Sequence, residues 1–398
     1  MRRIIGLIVV SLNLIFCSQA VAQVPYKTVQ TVVVGAEQFT QYSDLLEEAR
    51  VAVVANHSSY VGEVHLVDFL LEQEVELVKV FSPEHGFRGT ADAGEMVKNK
   101  KDPTTGVRIV SLYGSQKKPT FDHLADVDVV IFDIQDVGVR YYTYISTMHY
   151  VMQACAEMDK AFIVLDRPNP NGFYVDGPVL QEKFSSFVGI HPIPLVHGLT
   201  VGELAQMING EGWLGEDLKC DLTVIPCINY DHNDYYKLPI KPSPNLPNMA
   251  SIYLYPSLGL FEGTVVSVGR GTEKPFQMIG HPEIGTGDIQ FTPESGPGAK
   301  YPKLMGEECK GYDLVNFGLN DMPKRKSLYL FWVINLKKEI EGPYFLENHF
   351  FDLLAGTDEL RNQIMEGKKE DEIRQSWQPE LDAFKEIRKK YLLYEDFE

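Results

Sequence analysis

Apolar runs rich in β-branched residues recur through the first 175 residues, and each run stops at a cluster of polar residues. The leading runs cover residues 51–55, 75–81, 127–134 and 161–165. Continuous apolar runs of this length are typical of parallel strands that are buried on both faces of a sheet. Two further runs, over residues 107–112 and 222–225, predict additional strands.

Segments with helical periodicity lie between these runs, over residues 43–50, 63–71 and 145–158. Thr200 and Glu203 have the spacing of a capping box, which predicts a helix that ends near residue 209. Strands that alternate with helices favour an α/β fold with a doubly wound, mainly parallel sheet. In such folds ligands bind beyond the carboxyl ends of the strands, so we expect the polar clusters there to share one site.

The composition of the chain changes near residue 238, where five prolines fall between residues 239 and 256. Prolines at this density are typical of an extended connection. We therefore expect a larger domain over residues 23–245 and a smaller α+β auxiliary domain over residues 246–398. Short strands, a Gly/Pro-rich loop at 280–301 and a charged helical tail from about residue 346 are predicted in the smaller part.

Residues 1–22 have the composition of a cleavable secretory signal. Arg2 and Arg3 precede an apolar stretch over residues 4–16, and small residues occupy 20–22. We expect an exported protein, periplasmic or secreted, that begins near residue 23. Anchoring as a lipoprotein through Cys17 is less favoured, because that processing needs a small residue where Phe16 stands. No later stretch approaches the ~20 apolar residues needed to span a membrane.

Charge and motif content argue against several classes of function. The formal net charge of −18 disfavours binding to nucleic acid or to an anionic membrane surface. No cofactor is expected, because the glycine pattern of a dinucleotide site, the P-loop lysine and the Gly-x-Ser-x-Gly elbow are all missing from the sequence. No histidine or cysteine spacing indicates a metal site, and we expect the four cysteines after residue 22 to be free, buried thiols.

Glu84 is the first candidate for catalysis. It follows the second apolar run and is flanked by Phe81 and Phe87. A carboxyl group in such partly apolar surroundings has a raised pKa, which suits it to donate a proton near neutral pH. The alternative is an ion pair between Glu84 and Arg88 on a loop.

A second set of candidates follows the third run. By strand alternation Asp133 shares a face with the apolar residues before it, where an unpaired charge is costly. Arg140 is one candidate partner for Asp133, in a purely structural ion pair. Gln135 and Asp136, with Tyr141, Tyr142 and Tyr144, form a polar and aromatic set typical of sugar-binding sites, since rings stack on pyranose faces while amides and carboxylates bind hydroxyls.

The fourth run ends at Asp166-Arg167, followed by the turn residues 168–172. The planar donor fork of Arg167 suits a carboxylate on a ligand. A structural salt bridge is the alternative for a single arginine.

Long motifs occur in order along nearly the whole chain after residue 22. They are Ser82-Pro83-Glu84-His85-Gly86, Phe132-Asp133-Ile134-Gln135-Asp136-Val137-Gly138, Arg140-Tyr141-Tyr142-Thr143-Tyr144, Asp166-Arg167-Pro168-Asn169-Pro170, Pro244-Asn245-Leu246-Pro247, Leu260-Phe261-Glu262-Gly263-Thr264 and Gly269-Arg270-Gly271-Thr272. Together they resemble the exo-β-N-acetylmuramidases, glycoside hydrolase family one hundred and seventy-one, formerly a domain of unknown function.

The resemblance implies a Rossmann-like catalytic domain with a smaller auxiliary domain, and release of N-acetylmuramic acid from the non-reducing end of peptidoglycan fragments. It implies that Glu84 is the catalytic glutamate, here expected to be the general acid, and leaves Asp133 and Asp136 as competing candidates for the assisting carboxylate. The lactyl carboxylate of the sugar gives Arg140, Arg167 or Arg270 a possible ligand. The expected sugar-binding residues are His85, Arg88, Gln135, Arg140, Tyr141, Tyr142, Tyr144, Arg167, Asn169, His197, Asn245, Glu262 and Arg270.

Two other functions fit the same residues. A non-catalytic protein that binds muropeptides would use the same cleft without turnover. A metal-dependent amidase on the same scaffold would be sensitive to chelators. Among glycosidases, a separation of roughly 5 Å between the two carboxyl groups indicates retention of configuration, and roughly 6.5–9.5 Å indicates inversion.

Overall fold

The structure, a computed structural model, describes residues 26–27, 32–83, 86–88 and 100–398. The predicted signal segment and Cys17 lie outside the described residues, as do Glu84 and His85. Within the described ranges, the structure has no helix long and apolar enough to cross a membrane.

The described residues form short strands and helices in alternation. The strands are β1 Tyr26–Lys27, β2 Val51–Ala55, β3 Tyr60–Val61, β4 Val64–His65, β5 Leu77–Ser82, β6 Lys100–Lys101, β7 Arg108–Ser111, β8 Val129–Asp133, β9 Ala161–Leu165, β10 Asp176–Val179, β11 Pro194–Val196, β12 Asp221–Ile225, β13 Tyr235–Tyr236, β14 Met278–His281, β15 Ile289–Phe291 and β16 Cys309–Asp313. The α-helices are α1 Leu66–Glu72, α2 Phe121–Leu124, α3 Tyr144–Glu157, α4 Val201–Gly210, α5 Met249–Leu258, α6 Val315–Asn320, α7 Met322–Arg325, α8 Phe331–Glu339, α9 Phe350–Ala355, α10 Glu359–Met365 and α11 Glu370–Arg388.

The central sheet has the strand order β12-β9-β8-β2-β5-β7-β6, and all its pairs are parallel except β6 with β7. This confirms the predicted α/β fold with a mainly parallel sheet. Strands β5 and β7 follow β2 in the chain and lie on one side of it in the sheet. Strands β8, β9 and β12 come later in the chain and lie on the other side. The direction of winding therefore reverses between β2 and β8, which is the position where open α/β sheets bind their ligands.

Both faces of the sheet are buried, which explains why the runs are continuously apolar. Alternate residues of β2 point to opposite sides: Val51 and Val53 pack with α1, while Ala52 and Val54 join the larger core. That larger core continues into the C-terminal part as far as Phe384 on α11. The domain boundary expected after residue 245 stays a prediction.

Two predicted helices differ from the structure. Residues 43–50 form only a 3₁₀ turn over Ser43–Leu46, because Glu48 has a left-handed backbone with φ 55° and stops helical propagation. The helix predicted from residue 63 begins at Leu66, since residues 60–65 form the small hairpin β3–β4 around Gly62. The capping box of α4 is confirmed: Thr200 N donates to Glu203 Oε2 at 2.9 Å, and Glu203 N donates to Thr200 Oγ1 at 3.3 Å.

The C-terminal part combines the antiparallel sheet β14-β16-β15 with helices α6–α11. The predicted smaller α+β part and its helical tail are confirmed. The loop predicted over residues 280–301 is wrong in two places, because the end of β14 and the whole of β15 pair with β16 within it. Gly280, one of the glycines that suggested a loop, instead allows close strand approach, because a Cβ on it would lie 2.7 Å from the carbonyl oxygen of Lys310.

Candidate active site

Polar residues from both strands of the switch point meet at the carboxyl edge of the sheet. Ala55 of β2 is in register with Asp133 of β8. In the loop after β2, Ser58 Oγ accepts a hydrogen bond from Gln135 N at 3.1 Å, and Ser59 Oγ donates to the Asp133 carbonyl oxygen. These contacts join the two loops into one polar cluster.

Asp133 is paired with Arg167 and not with Arg140, so the partner suggested by sequence order is wrong. Arg167 Nε donates to Asp133 Oδ1 at 2.6 Å, and Arg167 Nη2 donates to Oδ2 at 2.9 Å. The Asp133 side chain is 0% exposed, and the Arg167 side chain is 6% exposed. Because β8 and β9 are neighbours in the sheet, their ends place this pair together even though the residues are 34 positions apart.

Asp136 and His197 face each other in a second buried cluster. His197 Nε2 lies 3.8 Å from Asp136 Oδ2, which also accepts a hydrogen bond from Gly138 N at 2.6 Å. His197 Nδ1 accepts from Leu199 N, so the proton of the neutral ring is on Nε2. Burial raises the pKa of Asp136 to about 7 and lowers the pKa of His197 to about 3. At neutral pH, Asp136 is therefore poised between its acid and its carboxylate.

Several buried polar atoms at this edge have no hydrogen-bond partner among the described residues. They include Asn56 Nδ2, Asp136 Oδ1 and His197 Nε2. Buried polar atoms are nearly always paired, so these three atoms are available to bind a ligand or water. Asp136 therefore keeps a free oxygen for chemistry, whereas both oxygens of Asp133 are committed to Arg167.

The Glu84 segment leaves the sheet at the same edge. Ser82, at the end of β5, and Pro83 are described, and β5 is the neighbour of β2 on the side away from β8. Glu84 and His85 lie outside the described residues, so their predicted roles stay predictions. Arg88 forms ion pairs with Asp68 at 3.2 Å and with Asp102 at 2.8 Å.

Two residues expected to bind sugar, Gln135 and Asn169, are held by the protein itself. Gln135 Nε2 donates to the carbonyl oxygens of Asp136 and Pro168, both at 2.8 Å. Asn169 Nδ2 donates to Leu199 O at 2.9 Å, and its Oδ1 accepts from Asn171 N, which closes the turn after β9. Both amides stabilise the loops that shape the cluster.

Arg140 is enclosed, and its exposed fraction is 0%. Its Nη1 donates to Pro178 O at 2.8 Å and Ile193 O at 2.7 Å, while Nη2 donates to Leu354 O at 3.1 Å. Burial lowers the pKa of the guanidinium to about 9, which still leaves it charged at neutral pH. Arg140 therefore joins β10 and the residue before β11 to α9.

A pocket of about 140 Å³ lies between the tyrosine-rich segment and the C-terminal part. It brings together six residues of the predicted set: Tyr141, Tyr142, Tyr144, Asn245, Glu262 and Arg270. Tyr142 OH donates to Pro242 O at 2.8 Å, and Tyr141 OH contacts the carbonyl oxygens of Tyr255 and Pro256 at 2.8 Å each. Burial raises the pKa of Tyr142, and Tyr144, Tyr255 and Asp136 raise it further.

Arg270 is the arginine of the pocket. It is 27% exposed, and Nη1 donates to Glu262 Oε2 at 2.8 Å. Its Nη2 donates to Gly298 O at 3.1 Å, and Asn245 Nδ2 donates to the same oxygen at 2.9 Å. The segment that carries Glu262 is fixed from behind by the ammonium of Lys303, which donates to the carbonyl oxygens of Phe261, Thr264 and Val266.

Sequence reasoning missed part of both sites. It did not select Asn56, Ser58 or Ser59, although their place after a strand was a usable signal. It also missed Tyr255, Phe276 and Phe350, which line the pocket from helices and loops far along the chain. Nothing in their local sequence distinguishes them from core aromatics.

Within the described residues, no group of three or more His, Cys, Asp or Glu side chains is arranged to hold a metal ion. Cys155, Cys220, Cys227 and Cys309 are free and buried, as expected. The chemical groups that converge at this edge are thus carboxyl, imidazole, amide and guanidinium, which suit proton transfer and the binding of a polar ligand.

Comparison with known proteins identifies relatives over nearly the whole chain. Residues 51–250 match the family model "Exo-beta-N-acetylmuramidase NamZ, N-terminal", and residues 253–394 match the corresponding C-terminal model. The peptidoglycan beta-N-acetylmuramidase NamZ of Bacillus subtilis (strain 168) is 39% identical in an alignment of 376 residues that covers 89% of each protein.

Two solved structures of DUF1343 family proteins from Bacteroides fragilis NCTC 9343 share the fold. One is 49% identical with a TM-score of 0.85, and the other is 31% identical with a TM-score of 0.78. In each case the alignment covers 92% of this chain and 99% of the other.

Proposed function

Since the chain belongs to the exo-β-N-acetylmuramidase NamZ family, we propose that it is a glycosidase that releases N-acetylmuramic acid from the non-reducing end of peptidoglycan fragments. The observation that carries the proposal is the 39% identity with the Bacillus subtilis enzyme over 89% of both chains. The site supports it, because carboxyl groups at the switch point adjoin an aromatic pocket that contains an arginine. The substrate is a muropeptide or a peptidoglycan disaccharide.

For catalysis, Glu84 is the general acid that protonates the leaving oxygen, and Asp136 is the assisting carboxyl group. Glycoside cleavage needs a second group that acts as base or nucleophile or that orients the acetamido group. Asp133 is less suited to this role, because Arg167 occupies both of its oxygens. Asp136 has a buried Oδ1 without a partner among the described residues and a pKa raised by burial to about 7.

For substrate recognition, Arg270 binds the lactyl carboxylate that distinguishes N-acetylmuramic acid from N-acetylglucosamine. Arg140 is enclosed and Arg167 is committed to Asp133, whereas Arg270 lines the pocket and is partly exposed. Its present partner Glu262 is 26% exposed and can be replaced by a ligand carboxylate. A planar guanidinium suits such two-point recognition of a carboxylate.

The function is tested with a chromogenic N-acetylmuramic acid β-glycoside. We expect release of the chromophore by the wild-type protein and at least a ~100-fold lower kcat for Glu84→Gln, the range for loss of a general acid. The exposed Glu76→Gln serves as control and should retain activity. No release by wild type, or undiminished release by Glu84→Gln, would contradict the proposal.

The recognition role is tested by comparing N-acetylmuramic acid and N-acetylglucosamine β-glycosides of the same chromophore. Arg270→Met should lower kcat/KM for the first substrate by roughly 10- to 100-fold, in line with 1.5–3 kcal/mol for a charged hydrogen bond, and should lower it far less for the second. Lys183→Met, on an exposed ion pair, is the control. An equal loss on both substrates would assign Arg270 a purely structural role.

Export is part of the proposal and is supported by the basic, apolar and small-residue sequence of residues 1–22. N-terminal sequencing of the protein purified from its native host should give a start near residue 23. A protein that retains residue 1, or one that carries lipid on Cys17, would contradict cleavage at that position.

A further inference from the structure

We propose that a groove next to the pocket is the subsite for the leaving group and binds the neutral amino sugar from which N-acetylmuramic acid is cleaved. This inference rests on the proposed function. The groove has a volume of about 550 Å³ and is more open than the pocket. Its lining comes from residues 244–247, 271–275 and 291–297.

The groove adjoins the pocket at Asn245, which lines both. An enzyme that removes one terminal sugar needs one enclosed site for that sugar and one open site for the remaining chain. The pocket of about 140 Å³ and the wider groove match these two needs. The scissile bond would then lie near Asn245.

The junction lies over the proposed catalytic edge of the sheet. His57, in the loop after β2, has Nε2 at 2.8 Å from Lys241 O, and Tyr142 OH donates to Pro242 O at 2.8 Å. The chain that leads to Asn245 is therefore anchored between the end of β2 and the tyrosine wall. The glycosidic bond of a substrate bound at Asn245 is thereby placed beside the carboxyl ends of the central strands.

The walls of the groove are fixed relative to the pocket. Gly298 O accepts hydrogen bonds from both Asn245 Nδ2 and Arg270 Nη2, which ties the far wall to two pocket residues. Glu294 N donates to Gly271 O at 2.9 Å and joins the opposite walls. Gly271 has φ 80°, and a Cβ there would lie 2.4 Å from Glu294 O, so only glycine allows this approach. The groove is consequently preformed.

The chemistry of the lining suits a neutral saccharide. Phe291 and four prolines offer apolar faces, while Thr272, Thr292 and Ser295 offer hydroxyl groups. Such a combination matches the apolar face and polar rim of a pyranose. Among the described residues, the lining contains Glu273 and Glu294 but no lysine or arginine, so an anionic sugar is disfavoured there. The anionic sugar is directed to the pocket with Arg270, and the neutral sugar to the groove.

The subsite is tested by blocking the groove with Ser295→Trp, since Ser295 is an exposed lining residue. Glu308→Trp, exposed on the same part of the chain outside the groove, is the matched control. Each variant is assayed on a 4-nitrophenyl N-acetylmuramic acid β-glycoside and on the disaccharide with N-acetylglucosamine as leaving unit. Unchanged melting temperatures check the fold.

We expect Ser295→Trp to lower kcat/KM about tenfold on the disaccharide, equivalent to ~1.4 kcal/mol, and to lower it less on the nitrophenyl substrate, whose smaller leaving group occupies less of the groove. The control should change neither value. Equal effects of Ser295→Trp on both substrates, or none on the disaccharide, would overturn the subsite. Failure of the proposed function is distinguishable, because wild type would then release no nitrophenol.

The acidic lining gives a second test. Glu294→Lys should raise kcat/KM for a tetrasaccharide, whose leaving chain carries another anionic muramic acid, relative to the disaccharide. An unchanged ratio of the two values would overturn the charge argument.

Discussion

Asp133 and Arg167 form a two-point ion pair between the ends of neighbouring strands, with N–O distances of 2.6 and 2.9 Å. Arg167 Nη2 also donates to Tyr60 O at 3.0 Å, so the same guanidinium reaches the hairpin after β2. The pair is part of the frame of the switch point and positions the loops around it.

Replacing Asp133 by Asn should destabilise the protein strongly, because Arg167 would remain buried without its counter-charge. Breaking one partner of a buried pair costs about 3–5 kcal/mol. Chemical denaturation measures the change in the free energy of unfolding. Asp358→Asn, which removes an exposed pair with Lys183, should cost at most ~1 kcal/mol. Equal stability of Asp133→Asn and wild type would show that the pair is not structural.

Asp136 should make stability depend on pH in a defined direction. Its pKa is raised from 3.8 to about 7 in the folded protein. Between these values the folded state binds more protons, so the free energy of unfolding falls as pH rises from about 4 to 7. Asp136→Asn should therefore gain stability over wild type as pH rises, by up to ~1.4 kcal/mol per pKa unit.

Unfolding curves for wild type and Asp136→Asn at pH 4, 5.5 and 7 test this expectation. His197, with its pKa lowered from 6.5 to about 3, acts in the opposite sense and loses stability as pH falls. Because both proteins contain His197, subtracting the free energy of unfolding of one from that of the other removes most of the His197 contribution. A difference that is constant over the range would contradict the raised pKa of Asp136.

Arg140 should affect stability and not substrate affinity. Arg140→Met would leave the carbonyl oxygens of Pro178, Ile193 and Leu354 without these donors, and each unpaired buried group costs about 1–3 kcal/mol. Arg140→Lys should recover part of the loss. We expect an unchanged KM for the protein that remains folded. A raised KM at wild-type stability would instead support direct contact with the sugar.

Tyr394 should fix the C-terminal end of the chain to the sheet. Its hydroxyl donates to Asp166 Oδ2 at 2.5 Å and accepts from Cys227 N at 2.8 Å. Tyr394→Phe should cost about 1–3 kcal/mol. It should also raise the pKa of Asp166 above its present value of about 6, because the hydroxyl holds that pKa down.

Thermal unfolding of Tyr394→Phe and wild type at pH 5 and 8 tests the loss of stability and its dependence on pH. The loss of stability in Tyr394→Phe should be larger at pH 8, where the Asp166 carboxylate is ionised. Tyr391→Phe, which loses a bond to the partly exposed Glu211, is the matched control. If Tyr394→Phe and Tyr391→Phe lose the same stability, Tyr394 does not fix the C-terminal end of the chain to the sheet.

The bounds of strands and helices show which structural features can be predicted from the local sequence. Strands β2 and β9 have the bounds predicted from their apolar runs, because burial on both faces imposes a continuous local pattern. The capping box of α4 was equally predictable, since its residues are three positions apart. The segment 43–50 was not, because a single left-handed residue, Glu48, leaves little trace in hydrophobic periodicity.

The sequence by itself determined that this chain has a mainly parallel sheet, that polar and acidic residues follow its strands, and which family it resembles. Only the tertiary structure decided that Asp133 pairs with Arg167, that Arg140 is enclosed, and that Arg270 shares a pocket with Tyr142. The physical reason is that burial patterns and caps are local, whereas an ion pair or a pocket depends on which distant segments pack together. Asp133 had an arginine seven residues away in sequence, yet the neighbouring strand supplied a closer one.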